Sequence, residues 1–325
     1  MTDERGPRAR PSPSHGHPSP ALARMLAPLV AAMVTFLPTG SSMAATPSST
    51  TTPSVAHCTG RFDYALPPTL RPSGGRQSLY RVSVWHEPQG AAMLPADAWK
   101  KHLFAALSTP PASGSVTPAR EFELRGVGSA AWLQLPANGP EYVTLLATKS
   151  MPEAAESLFF QVDAGTGREA LAEDLVGKIA ASWIGGTRAG FCTGAGAFVI
   201  APSKNERALD AFAAPGVELT VQTETVAAPD DGQSSDGDPP PGAKVLAKNR
   251  RNVGGFDGIE ERIELADEAA GHRRVYVWVF PGRPADGAAP RIRLSASAFG
   301  THAAQLDAAW NELLATWRPR PVGVR

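Results

Sequence analysis

The chain is poor in the residues and motifs that usually announce a chemistry. It has 325 residues and only two cysteines, Cys58 and Cys192. Two are too few for a small disulfide scaffold, and their separation leaves no Cys-x-x-Cys metal or redox spacing. There is no excess of one charge: 31 basic side chains stand against 31 acidic ones. That balance speaks against a nucleic-acid binder, which usually carries a basic surplus. The Gly-x-Ser-x-Gly elbow that exposes a hydrolase serine is missing, as is the His-Glu-x-x-His pair that sets zinc on a helix face. Gly165-Thr166-Gly167 and Gly194-Ala195-Gly196 lack the third glycine of a dinucleotide turn, and Gly177-Lys178 runs into Ile rather than Ser or Thr. His57, His86, His102, His272 and His302 fall at no metal-ligand spacing on one element. The sequence therefore reads as no enzyme, with no cofactor and no metal.

Long hydrophobic runs are also scarce. The most apolar stretch, Ala21 to Pro38, follows Arg5, Arg8 and Arg10, holds Arg24 near its start, and precedes Ser42-Met43-Ala44. Basic region, short apolar core and small residues are the order of a secretory signal, with cleavage expected after Ala44. A transmembrane anchor is the competing reading, but the run is proline-broken and shorter than the roughly 20 residues needed to span. Residues 1–44 carry four basic and two acidic side chains, so the mature chain keeps 27 against 29. Residues 45–56 (ATPSSTTTPSVA) read as a flexible leader.

What the chain does have is 31 glycines, 31 prolines and an ordinary 42% of hydrophobic residues. That composition favours a loop-rich β or α+β protein over a helical bundle. Strands are expected near 58–66, 79–86, 120–126, 129–135, 141–149 and 158–164, then near 197–201, 217–226, 258–266, 273–281 and 291–299. Alternation in VELTVQTETV and RVYVWVF supports half-buried antiparallel strands. Helices are expected near 95–108, 168–183 and 302–317.

A faint echo runs at an offset of 134 residues. His57-Cys58-Thr59-Gly60 is answered by Phe191-Cys192-Thr193-Gly194, Tyr142 by Tyr276, and Trp183 by Trp317. Ala172, Val176, Ile179 and Trp183 form one helical stripe, and Leu306, Trp310, Leu313 and Trp317 form its counterpart. In one register these matches suggest two tandem copies of one α+β domain, each an antiparallel sheet closed by an amphipathic helix. Chance agreement is the alternative. The boundary is expected in the Gly-rich stretch 185–190, giving an N-terminal domain over 57–187 and a C-terminal domain over 188–325.

Inside the second domain, 227–242 (AAPDDGQSSDGDPPPG) cannot pack a core and reads as an acidic surface loop. Its Asp230, Asp231, Asp236 and Asp238 are the candidate partner-binding residues. A solvated loop is the plainer reading, and a calcium loop would need alternate carboxylates and a closing Glu that the prolines forestall. Trp85, Trp99, Trp132 and Trp278 sit within apolar periodicities and read as core rather than as a ligand cage.

With those residues in view, the chain resembles the two-domain immunity proteins that neutralise antibacterial lipase effectors of type VI secretion. The phrases that carry the resemblance are Cys58-Thr59-Gly60-Arg61-Phe62 with Leu66-Pro67, then Gly190-Phe191-Cys192 with Gly196, Asn205-Glu206 and Pro215-Gly216-Val217. They continue with Arg251 and Gly255-Phe256-Asp257-Gly258-Ile259-Glu260, and end in Trp310-Asn311-Glu312-Leu313-Leu314 through Arg318-Pro319-Arg320-Pro321. They span residues 57–321 in the family's order. Asn311 stands where an Asp commonly follows the Trp, Trp317 replaces a smaller aliphatic residue, and the acidic loop is longer than usual. The resemblance implies a periplasmic inhibitor whose two domains clasp a cognate α/β-hydrolase phospholipase and block substrate access. It implies no catalysis, no nucleic acid and no membrane anchor after signal cleavage. A periplasmic small-ligand or lipid-binding protein is the alternative. If the two domains face each other, Cys58 and Cys192 come together as a disulfide; otherwise they are two separate buried thiols.

Overall fold

Alternating burial governs the strands of the computed structural model, which describes residues 53–88, 118–134, 141–151, 156–193, 196–226, 242–267 and 271–323. The first half opens with β1 (Val55–Thr59) and β2 (Phe62–Leu66), then β3 (Arg71–Leu79), β4 (Val82–Pro88), β5 (Pro118–Leu124) and β6 (Gly128–Leu133). It continues with β7 (Tyr142–Met151), β8 (Glu156–Gly165), helix α1 (Glu169–Ala181) and the short β9 (Trp183–Gly185). The second half repeats that order. It holds β10 (Phe191–Thr193), β11 (Gly196–Phe198), β12 (Arg207–Ala214), β13 (Val217–Glu224), β14 (Lys244–Val253) and β15 (Phe256–Asp267). After these come β16 (Gly271–Phe280), β17 (Arg291–Phe299), helix α2 (Ala303–Thr316) and β18 (Arg318–Pro319).

Twelve strands form one antiparallel sheet in the order β14-β15-β16-β17-β13-β12-β3-β4-β8-β7-β6-β5. Read from either end the order is the same, with β12 standing for β3, β13 for β4 and β17 for β8. The two halves meet where β12 pairs with β3, Arg207 opposite Ser78 through Ala213 opposite Arg71, with a bulge after Ala211. Two three-stranded sheets repeat the symmetry in miniature, β1-β2-β18 and β10-β11-β9. In each, the last strand of one half pairs with the opening hairpin of the other.

That exchange also divides the cores. Phe62, Tyr64, Leu66 and Leu70 from the first half pack with Val217, Trp278, Ile292, Leu306, Trp310 and Trp317 of the second. Phe191, Phe198 and Ala208 from the second half pack with Val84, Leu145, Phe160, Val176 and Ile179 of the first. The described residues all fall in one compact unit, and the stretch 185–190 where a domain boundary is expected does not separate two cores. Each opening segment is anchored by side chains worth roughly 1.5–3 kcal/mol apiece when buried, all spent on the opposite half. Val55 and Ala56, expected in the flexible leader, already belong to β1.

Both helices bury the stripe that their spacing predicts, Ala172, Val176 and Ile179 in α1 and Leu306, Trp310 and Leu313 in α2. They stop short of the expected ends. Ser182 Oγ donates to the Ile179 carbonyl and caps α1, so Trp183 enters β9. Trp317 turns extended at φ −61° and ψ 125°, two residues before Pro319. The strand expected over 79–86 is a hairpin instead, its turn made by Tyr80 and Arg81 at φ 52° and 72°, the left-handed values a two-residue turn demands. The helix expected near 95–108, with Trp99 and His102, lies outside the described residues. Among the described residues no helix is long and apolar enough to cross a membrane.

Candidate functional site

The seam between the halves concentrates the unusual side chains. Cys58 and Cys192 are bonded across it, their Cα atoms 6.1 Å apart, inside the range a disulfide accepts. The Cys192 amide also donates to the Gly60 carbonyl at 2.6 Å. Gly60 sits at φ +57°, and a Cβ there would come within 2.9 Å of Thr223 Oγ1 on β13 and 3.2 Å of Ala208 Cβ on β12; the left-handed turn and its close seat on those strands need glycine here.

Two ion pairs lock the seam on either side. Arg61 lies between the opening hairpin's strands and reaches Glu206 with Nε to Oε2 and Nη2 to Oε1, both 2.7 Å. Both residues are buried, and the Ser203 amide adds a third donor to Glu206 at 2.8 Å. Arg320, after α2, donates to Asp63 at 3.0 Å and to the Thr187 carbonyl at 2.8 Å. Burial holds the Arg320 pKa below the usual arginine value despite the Asp63 charge.

Over β3 and β12 lies a cleft of about 520 Å³ bordered by His57, Trp85, His86, Asp210, Phe212 and Arg318. Tyr64, Thr59 and Asp210 form a chain beneath it. Tyr64 Oη and Thr59 Oγ1 lie 2.7 Å apart, and Thr59 donates to Asp210 Oδ2 at 2.5 Å. Burial pushes the Asp210 carboxyl up to about 6, partly offset by the Thr59 hydrogen bond and the His86 charge. Burial and the Asp210 charge hold the Tyr64 phenol well above its ordinary value. Burial also lowers the His57 pKa, and its ring packs edge-on against Phe212 at 4.8 Å. The arrangement can receive a polar group against an apolar floor. No cluster of three metal-ligating side chains occurs among the described residues.

The site residues expected from sequence divide unevenly. Cys58 and Cys192 meet, resolving the choice between bridge and separate thiols. Asp230, Asp231, Asp236 and Asp238 lie outside the described residues. Trp132 and Trp278 are core as expected, whereas half-buried Trp85 borders the cleft. Arg61, Glu206 and Asp210 were not singled out for chemistry, because their roles arise only when β12 crosses to β3.

No protein-family model matches the sequence, and no curated protein matches it. Solved structures do. The apo immunity protein TplEi of T6SS from Pseudomonas aeruginosa has a TM-score of 0.59 at 16% identity, over 82% of this chain and 97% of that one. A chain of the Tle4–Tli4 complex gives 0.61 at 15%, over 82% and 98%. TplEi complexed with "L" peptide gives 0.57 at 15%, over 82% and 98%. At such identities the likeness is one of fold. The chain has the fold of T6SS immunity proteins along almost their whole length, which bears out the resemblance carried by its sequence phrases.

Proposed function

We propose that the mature chain is a periplasmic immunity protein that binds a cognate type VI phospholipase effector and blocks its access to substrate, protecting the producing cell and its kin. The observation that carries this reading is the fold match over 97–98% of the immunity chains. The apolar run before Ala44 and the Cys58–Cys192 bond support an exported location, since disulfides persist in oxidising compartments. The repeated element order supports tandem duplication, with 57–187 and 188–325 as the two copies and opening segments exchanged between them. No catalytic residue is needed for such a role. A lipase must open an apolar route to its serine, and occupying that route or holding its lid suffices. The disulfide and the buried Arg61–Glu206 pair hold the halves in one arrangement, lowering the ordering cost of association.

The test mixes residues 45–325 with a purified type VI phospholipase effector of the same organism. A complex of fixed stoichiometry, with lipase activity falling in proportion to the protein added, is expected. A lipase that keeps full activity at a molar excess of this chain would refute the reading. The cleft over β3 and β12 favours the second reading, a small-ligand or lipid-binding protein. In that case lipids or solutes raise the melting temperature by mass action and no lipase is bound.

A further inference from the structure

The symmetry of the sheet fails at one place. In the second half, β12 and β13 pair along their whole length, from Ala214–Val217 beside the turn to Arg207–Glu224. Their counterparts β3 and β4 pair only through Leu79–Val82, Ser78–Ser83 and Gln77–Val84. Beyond Gln77 the two strands part. β3 stays on β12 as far as Arg71 opposite Ala213, and β4 stays on β8 as far as Pro88 opposite Glu156. Among the described residues no other strand pairs with β3. The wedge so opened belongs to the cleft of about 520 Å³, bordered here by Gly74, Gly75 and Gln77 on one side and Val84 and Trp85 on the other.

The backbone that faces the wedge follows from the register. The two-residue turn at Tyr80 and Arg81 makes Leu79–Val82 a hydrogen-bonded pair, and alternation along an antiparallel ladder gives Gln77 the same direction. Gly75 comes next in that direction, while Arg76 and Gly74 turn toward β12. The N–H and C=O of Gly75 thus point to where β4 has withdrawn. Arg71 through Arg76 are exposed, so this edge is open to solvent. It is also bare, for Gly75 has no side chain and a Cβ on Gly74 would meet nothing within 4 Å. At the apex Gln77 is 5% exposed, and its Oε1 is buried without a hydrogen-bond partner. An open strand edge is a template for another strand. Pro72, which carries no N–H, keeps this template short.

We infer that the wedge between β3 and β4 is a docking slot for an extended segment of a partner protein, which adds to the free edge of β3 through main-chain hydrogen bonds at Gly75. In this mode the backbone supplies affinity and alternate side chains supply specificity. Glycines at 74 and 75 let the incoming backbone approach closely. A donor carried into the apex would satisfy Gln77 Oε1, a buried acceptor that is costly to leave unmet. This deepens the proposed function, on which it rests only for the partner's identity: the segment belongs to the effector.

Residue-resolved amide hydrogen exchange on residues 45–325 makes the test. In the free protein the Gly75 amide should exchange far faster than that of Asp210, its counterpart on β12, which faces β13. Slow exchange of Gly75 in dilute protein would mean that the chain covers its own edge. Slowing that grows with protein concentration would give the slot to a second copy, and either result overturns the inference. Adding the purified effector should slow Gly75 by about tenfold or more. Gly74→Leu, which sets a side chain in open space, should melt no lower than the parent and weaken the complex by about tenfold or more, as loss of a central contact does. Leu171→Asp, exposed on α1, should bind as the parent does. An effector complex that leaves Gly75 exchanging freely, or that ignores Gly74→Leu, sinks the slot alone and spares the immunity reading. If no effector binds, that reading fails, and a random peptide library displayed on phage decides the slot. Selected peptides that slow Gly75 uphold it, and a library that yields none overturns it.

Discussion

Asp210 and Gly75 face each other across the central strand pair, and the carboxylate occupies the volume a side chain on Gly75 would need. Only hydrogen at position 75 lets Asp210 lie flat over β3 and accept the Thr59 hydroxyl. Gly75→Ala should therefore destabilise the protein by about 1–3 kcal/mol, the usual cost of overpacking. Gly74→Ala, where nothing lies within 4 Å, should stay within about 1 kcal/mol of the parent. Urea denaturation of the two variants side by side makes the comparison.

The raised Asp210 pKa has a direct consequence for pH. Its folded value of about 6 lies above the ordinary 3.8, so the folded state holds the proton more tightly than the unfolded chain. Between about pH 4 and pH 6 the folded state binds more protons, and this group's contribution falls as pH rises through that window. Asp210→Asn keeps an acceptor for Thr59 and removes the charge. It should gain roughly 1–2 kcal/mol over the parent at pH 7.5, after allowance for solvent screening, and little at pH 4. His57, whose pKa burial lowers, works in the opposite direction, so the difference between parent and variant isolates Asp210. Denaturant midpoints at the two pH values decide it.

Breaking the disulfide should loosen the seam without erasing it. Closure of a 134-residue separation stabilises by about 5 kcal/mol on chain entropy alone, whereas the β12–β3 pairing and both cores remain. The double variant Cys58→Ser and Cys192→Ser should fold, with a loss of roughly 2–5 kcal/mol. Retained strand signal in circular dichroism, with a lowered denaturant midpoint, is the expected result.

Arg61 and Glu206 form a buried, doubly bonded pair between segments 145 residues apart. Arg61→Ala leaves Glu206 buried without its cation, at a cost of about 3–5 kcal/mol. Arg61→Met combined with Glu206→Leu should recover much of that loss, since apolar replacement of a buried pair is often neutral. A double-mutant cycle measures the coupling directly.

Much of the sheet was legible because its strands alternate cleanly. VELTVQTE buries every other residue, and both helices show their stripes in the spacing of Ala172, Val176, Leu306 and Trp310. The central pair was not legible. β3 reads RPSGGRQSL, with a proline and two glycines, and stays exposed through Arg76; it is a strand only because β12 supplies its partner. Edge strand β14, KVLAKNRRNV, is polar and mostly exposed, the composition that keeps an edge from pairing further and that hides the strand from hydrophobic pattern. The candidate site was half visible. The cysteines stood out by rarity, while Asp210, Arg61 and Glu206 belong to a place that exists only once distant segments cross.

The exchange of opening hairpins sets the order of events in time. The first half emerges from synthesis without Phe191 and Phe198, which complete its core. The second half emerges needing Phe62 and Tyr64, which left long before. Neither can finish alone, so stable structure waits for nearly the whole chain. Topology of this kind slows folding through distant contacts, and Cys58 stays open to wrong partners until Cys192 arrives. Severed near residue 188, the chain would yield not two independent pieces but two fragments that fold only on meeting.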